Sequence, residues 1–157
     1  MSTVHFLRWL LHTHLSVEMR NSHWGFAIVE MAHLLGLAGL GGAILVVDLR
    51  LLGVVLRRQT VARVANDLWP ILIGSLGVMI VSGTLLATAF PLKYYYSPAF
   101  RLKMCVLAIA LLFYFTLHLK VVRSDLDRLS AWPRIAAVIS LILWLGVGVA
   151  GRAIGFY

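Results

Sequence analysis

Four long apolar runs, at about 24–55, 68–90, 100–122 and 135–156, divide the chain, with short polar stretches between them. Each reaches the roughly 20 residues that a helix needs to cross a bilayer. Open sheet is excluded at that depth, because its edge N–H and C=O groups would go unpaired in hydrocarbon. The pattern predicts an all-α fold: an integral membrane four-helix bundle over 21–157. The first run is overlong for one span, so it is expected to project beyond the bilayer. Residues 3–19, TVHFLRWLLHTHLSVEM, follow a different pattern. Val4, Leu7, Leu11 and Leu15 make an apolar stripe that Arg8, His12 and Glu18 interrupt, which predicts an interfacial amphipathic helix within 1–20. The segment lacks the basic start and small-residue cleavage site of a signal peptide, so it is expected to stay in the mature chain.

Two junctions read alike, NDLWP at 66–70 and LSAWP at 129–133. In each a polar residue can cap a helix, Trp can anchor at the membrane interface, and Pro fits the first turn, where its missing N–H costs little. The echo predicts two hairpins of two helices, although the histidines do not repeat at matching offsets.

Composition strengthens the membrane reading. Hydrophobic residues make up 61% of the 157 positions and mean hydropathy is +0.92, against about 45–50% apolar residues in ordinary soluble domains. The single cysteine, Cys105, lies in an apolar run, which leaves no disulfide framework and no CxxC metal site. Net charge is +8, from 14 Lys+Arg against 6 Asp+Glu. The basic residues cluster where apolar runs end, as lipid headgroups select, and no nucleic-acid-binding motif accompanies them. Arg50, Arg57, Arg58, Arg63, Lys120, Arg123, Arg128 and Arg134 fall in the first and third connections; Arg8, Arg20, Lys93, Arg101, Lys103 and Arg152 fall on the other side. That bias predicts cytoplasmic first and third connections and outward termini.

Candidate chemistry begins in EMAHLLGLAGLGG, residues 30–42. At 100° per residue, Ala32, Gly36, Gly39 and Ala43 share one narrow face, which His33 borders and Glu30 flanks on the other side. Such a face lets a second helix approach closely. It would also suit a planar ligand such as haem, with His33 as axial ligand and Glu30 fixing its other nitrogen or moving a proton. The second intramembrane histidine is His118, which reads either as a ligand or as an interfacial residue beside a basic helix end. A depth offset between His33 and His118 makes one haem shared by both awkward. The partner of His33 is then open: His23, His14 or His12 folded back from the N-terminal segment, a second subunit's copy across a twofold axis, a methionine (Met31, Met79 or Met104), or none. Arg152, beside Gly148, Gly151 and Gly155, could hold a propionate or snorkel to the headgroups.

A competing reading takes His5, His12, His14 and His23 with Met1 and Met19 as copper ligands, although His12 and His14, two apart, point to different sides of a helix. Asp48 and Arg50 in DLRLLG, where the first span ends, read as an interface marker and local ion-pair group. The sequence holds no Ser-His-Asp set, paired-carboxylate site, phosphate loop or zinc signature, so hydrolase chemistry has no visible machinery.

AHLLGLAGLGGAILVVDLRLLG at 32–53, RLKMCVLAIALLFYFTLH at 101–118 and AWPRIAAVISLILWLGVGVAGRAI at 131–154 resemble a bacterial family of small four-helix membrane proteins of unknown function, near the copper-resistance-D and b-type cytochrome membrane proteins. The resemblance implies a four-helix bundle in the bacterial inner membrane, with His33 and His118 at the positions most similar to the relatives' ligand histidines. The several paired histidines of diheme cytochromes are missing here. The leading expectation is a b-type cytochrome-like protein that binds haem b through His33 and passes electrons between a quinol or redox partner and an outer-face acceptor. The rivals are a copper-handling protein and a non-catalytic accessory subunit of a larger membrane complex. A homo-oligomer is the other expected assembly.

Overall fold

The computed structural model describes residues 3–124 and 131–156, and all regular structure among them is helical. Two short helices, α1 (Thr3–Leu11) and α2 (His14–Asn21), precede a long α3 (His23–Leu51) and α4 (Val61–Ala89). A short α5 (Pro91–Tyr96) leads into α6 (Pro98–Arg123), and α7 (Trp132–Ala153) ends in a 3-10 turn. Four helices, Trp24–Leu51, Val61–Ala89, Pro98–Arg123 and Trp132–Ala153, are long and apolar enough to cross a membrane. Large apolar side chains such as Leu35 (72% exposed) and Leu145 (69%) stand outward on them. A continuous outward apolar surface of this kind would aggregate in water and suits lipid. The chain is therefore a multi-pass membrane protein.

Local signals set the helix ends. Ser22 caps α3 by accepting from the Gly25 N–H at 3.0 Å, and Ser97 caps α6 through the Phe100 N–H at 3.3 Å. α3 stops at DLRLLG: Gly53, at φ +76°, donates to the Arg50 carbonyl, and Val54 donates to that of Leu49. This paired closure needs a left-handed residue, which glycine adopts at least cost. At the other junctions the structure is less symmetrical than the sequence. Trp132 and Pro133 open α7 as expected, while Leu129 and Ser130 lie outside the described residues. α4 begins at Val61, capped by Thr60, so Pro70 sits inside the helix and Asn66 and Asp67 cap nothing. The added turns carry Val61, Val64, Ala65 and Leu68 onto the end of α3, and that burial favours the earlier start.

The N-terminal stretch is two helices broken at His12–Thr13, not one. Ser16 Oγ donates to the Thr88 carbonyl at 2.9 Å, and Arg20 reaches the carbonyls of Ala89 and Leu11 at 3.4 and 2.7 Å. α2 thereby closes the C-terminus of α4, whose last carbonyls have no partner within their own helix.

The core is uneven along the bundle. One cluster joins Leu40, Ala43, Ile44, Leu72 and Tyr114; the other joins Val47, Leu51, Val64, Val122 and Ala137. Both lie toward the arginine-rich end, where the connections after α3 and α6 emerge. Among the described side chains, α3 buries nothing before Gly36, and α6 buries nothing between Ala99 and Ala110. Over the bundle as a whole, contact is densest within each hairpin, α3 on α4 and α6 on α7.

Candidate functional site

The two intramembrane histidines occupy different environments. His118 lies in a π-helical turn, Tyr114–His118, within α6. Ala110, Tyr114, His118 and Val122 are buried at four-residue spacing. In a regular α-helix each such step drifts by about 40° around the axis. The wider turn takes up part of that drift and keeps His118 facing α3. Such turns are frequent at functional sites.

There His118 Nε2 meets Asp48 Oδ1 at 2.6 Å, with both side chains wholly enclosed. The Tyr114 ring stacks on the imidazole, 4.8 Å between centroids and 22° from parallel. His118 Nδ1, Asp48 Oδ2 and, on α7, the hydroxyl of buried Ser140 have no hydrogen-bond partner among the described residues. Arg50 does not serve Asp48; its Nε and Nη2 donate to the Gln59 carbonyl at 2.8 and 2.5 Å. Asp48 is thus half of a buried interhelical pair, and its partner is seventy positions away. Sequence reasoning did not join these two residues, and passed over Tyr114 and Ser140. A carboxylate at the end of one span and a histidine at the same depth of another was the available signal.

His33 is placed fifteen positions before Asp48 on the same helix, about 22 Å away along the axis. It lies on the inward stripe of α3 with Gly36, Leu40, Ile44 and Val47, yet it is only half-buried. Its Nδ1 is 2.9 Å from Ser82 Oγ on α4. Ser82 Oγ also lies 2.5 Å from the Val78 carbonyl, to which it donates its only proton. It must therefore accept from the histidine. Neutral His33 carries its proton on Nδ1 and keeps a lone pair on Nε2, for which no described residue is a hydrogen-bond donor. Gly83 lies against the ring edge: a Cβ there would come within 3.2 Å of His33 Cε1. Lys103 on α6 packs over Gly151 and is close enough for its charge to act on His33.

The other candidates are dispersed. Gly36 and Gly39 pack on α4: a Cβ on Gly36 would come within 3.1 Å of Met79 Cγ, and one on Gly39 would run into the Ser75 hydroxyl. Glu30 is exposed and does not approach His33 Nδ1, which Ser82 holds. Its charge reaches Tyr94 instead, whose phenol is pushed above its ordinary pKa by burial first and by Glu30 second. Arg152 is exposed near the end of α7. His12 and His14 are exposed, and His14 stands 3.6 Å from Glu18 on the surface; the side chain of His23 lies outside the described residues. Met31 and Met104 face outward, while Met79 packs on the first core cluster. Among the described residues no three His, Cys, Asp or Glu side chains gather as a metal site.

A helical bundle with four candidate spans, ionisable side chains inside it and a basic end defines a small polytopic membrane protein. The chain belongs to the family of unknown function DUF6644, which matches residues 18–157 and so takes in all four long helices. No curated protein and no solved structure matches it.

Proposed function

We propose that this protein is a b-type cytochrome-like membrane protein that holds haem b through His33 and carries electrons between a quinol or protein partner and an acceptor at the far end. The observation that supports this reading is the fixed tautomer of His33. A ligating histidine characteristically gives its second N–H to a neighbouring acceptor, which orients the ring and leaves the other nitrogen for the metal. Ser82 supplies that acceptor, and Gly83 leaves room at the ring edge. Lys103, whose charge reaches His33, is a cation able to balance a propionate. His33 is only half-buried, and α3 and α6 bury little at this level. His118 does not fit as a haem ligand in this arrangement, because Asp48 occupies its Nε2 and no surface of the ring is open. Haem, where bound, supplies the one-electron couple; the protein sets ligand geometry, burial and nearby charge. On this reading the far end faces outward from the bacterial inner membrane, as the arginine-rich first and third connections suggest.

The test is a reduced-minus-oxidised spectrum of the protein purified in mild detergent, with a pyridine-adduct assay of haem content. A b-type spectrum lost in His33→Ala at unchanged helicity is the expected result, with the spectrum kept in any folded His118 variant. A colourless wild-type protein of full helicity, expressed with haem supplied, would sink the reading. The second reading, an accessory subunit, is favoured by Gly41, Gly42, Gly74, Gly77 and Gly148, around which a Cβ would meet nothing within 4 Å. Small residues on outer faces let a further helix dock. That reading expects colourless protein with a co-purifying partner.

A further inference from the structure

A cleft of about 360 Å³ opens at the arginine-rich end, between the end of α3, the start of α4, the end of α6 and the start of α7. That volume is within the roughly 300–1,000 Å³ of small-molecule sites. Arg50, Arg57, Arg123 and Arg134 line it, and its described walls include no carboxylate. Its remaining surface is largely apolar, with Leu51 and Val122 belonging to the adjoining core. Three of the four arginines are anchored by contacts of their own. Arg50 is nine-tenths buried and fixed on the Gln59 carbonyl, Arg57 Nε donates to the Gly53 carbonyl at 2.6 Å, and the Arg123 guanidinium sits 5.9 Å over the Trp69 ring. Each anchoring contact leaves other guanidinium N–H groups available. The first turns of α4 and α7 also border the cleft, adding the positive ends of two helix dipoles. Four like charges around one partly apolar cavity repel one another, and a polyvalent anion in the cleft relieves that cost.

We infer that this cleft is a binding site for a phosphate-bearing anion, with the four guanidiniums holding the phosphate oxygens and the apolar wall holding the group's carbon portion. The site stands independently of haem binding. Two sources carry this chemistry, the headgroup of an anionic phospholipid and a soluble phosphorylated compound.

Isothermal titration of the full chain in a neutral maltoside detergent tests the inference. The probes are dihexanoyl phosphatidylglycerol, dihexanoyl phosphatidylcholine and sodium pyrophosphate. The expected result is saturable binding of the phosphatidylglycerol, tighter than the choline lipid and weakened about tenfold or more in Arg123→Gln/Arg134→Gln. The control Arg58→Gln/Arg63→Gln removes the same charge outside the cleft and is expected to bind as wild type. Binding of pyrophosphate alone, with the same dependence on Arg123 and Arg134, would assign the soluble source. Absence of binding by both anions, equal weakening in the two double variants, or equal affinity for the two lipids would overturn the site. So would binding that emerges only in Asp125→Asn/Asp127→Asn, since the chain's own carboxylates would then be the anions the arginines hold.

Discussion

Removing Asp48 strands a wholly buried polar group between the two core clusters. Its carboxylate is the partner of His118 Nε2, and neither side chain has any exposure. In Asp48→Ala the imidazole loses the one hydrogen bond it makes among the described residues, because Nδ1 has none there. An ordinary interhelical hydrogen bond in a membrane protein contributes about 0.6 kcal/mol, since the unfolded chain finds other partners in the bilayer. Breaking a wholly enclosed pair on one side costs about 3–5 kcal/mol, because the remaining group is left without compensation. The second magnitude is expected here, for Asp48→Ala and for His118→Ala alike. Replacing both partners with apolar groups of similar size behaves differently: it removes Asp48 Oδ2 and His118 Nδ1, each of which carries an unmet cost of about 1–3 kcal/mol. Asp48→Leu/His118→Phe is therefore expected to come within about 1 kcal/mol of wild type, or to exceed it. Unfolding in mixed micelles by SDS titration, followed by far-UV circular dichroism, measures all four proteins. Single variants that each cost under about 1 kcal/mol, or a double variant as unstable as the sum of the singles, would refute the reasoning.

Other substitutions address the remaining contacts. Gly83→Ala places a methyl group 3.2 Å from His33 Cε1; helix propensity rises by about 0.8–1 kcal/mol, so haem retention is expected to fall while thermal stability holds, read as the ratio of Soret to protein absorbance through a melt. Gly39→Val drives a branched side chain into Ser75 and is expected to cost about 1–3 kcal/mol, with partial rescue by Ser75→Ala. Gly41→Ala, with open space around it, is expected to be neutral or mildly stabilising in the same SDS titration. Arg20→Ala releases the carbonyls of Ala89 and Leu11, so limited proteolysis is expected to cut the α1–α2 region faster without unfolding the four long helices. An unchanged cutting rate would mean that Arg20 does not hold α2 in place.

The long helices were legible because a spanning segment states its length and apolarity locally, and DLRLLG states a stop. The start of α4 was not, since NDLWP carries a complete local cap that loses to the burial of Val61 and Val64 against α3. A single amphipathic stripe likewise gave no sign that Thr13 would interrupt it; the break lets Ser16 and Arg20 reach the end of α4, a partner about seventy residues distant. The small face around Gly36 was visible, and so was its ability to admit a helix. Which helix fills it depends on the hairpin, and α4 does. Asp48 read as an interface marker and His118 as a ligand or an interfacial residue; their pairing requires the register between α3 and α6, to which a π turn contributes.

Two histidines that look equivalent in an apolar sequence lie in opposite surroundings, and on the proposed haem reading these give them opposite tasks. His118 has its Nε2 committed to Asp48, its face covered by Tyr114 and no route to solvent or lipid. Any ligand arriving there would have to displace the pair and open the densest part of the bundle. His33 is oriented by Ser82 and lies in the less buried half of the bundle, so that on the haem reading its other nitrogen is the one that takes the iron. Rigidity at the arginine-rich end allows that looseness, because the four helices are already held by the clusters around Ile44 and Val47. On the haem reading, a ligand in the far half leaves both of these clusters intact. Variants should separate along the same line: changes at His118 move stability and leave ligand chemistry in any folded protein, whereas changes at His33 move ligand chemistry at nearly constant stability.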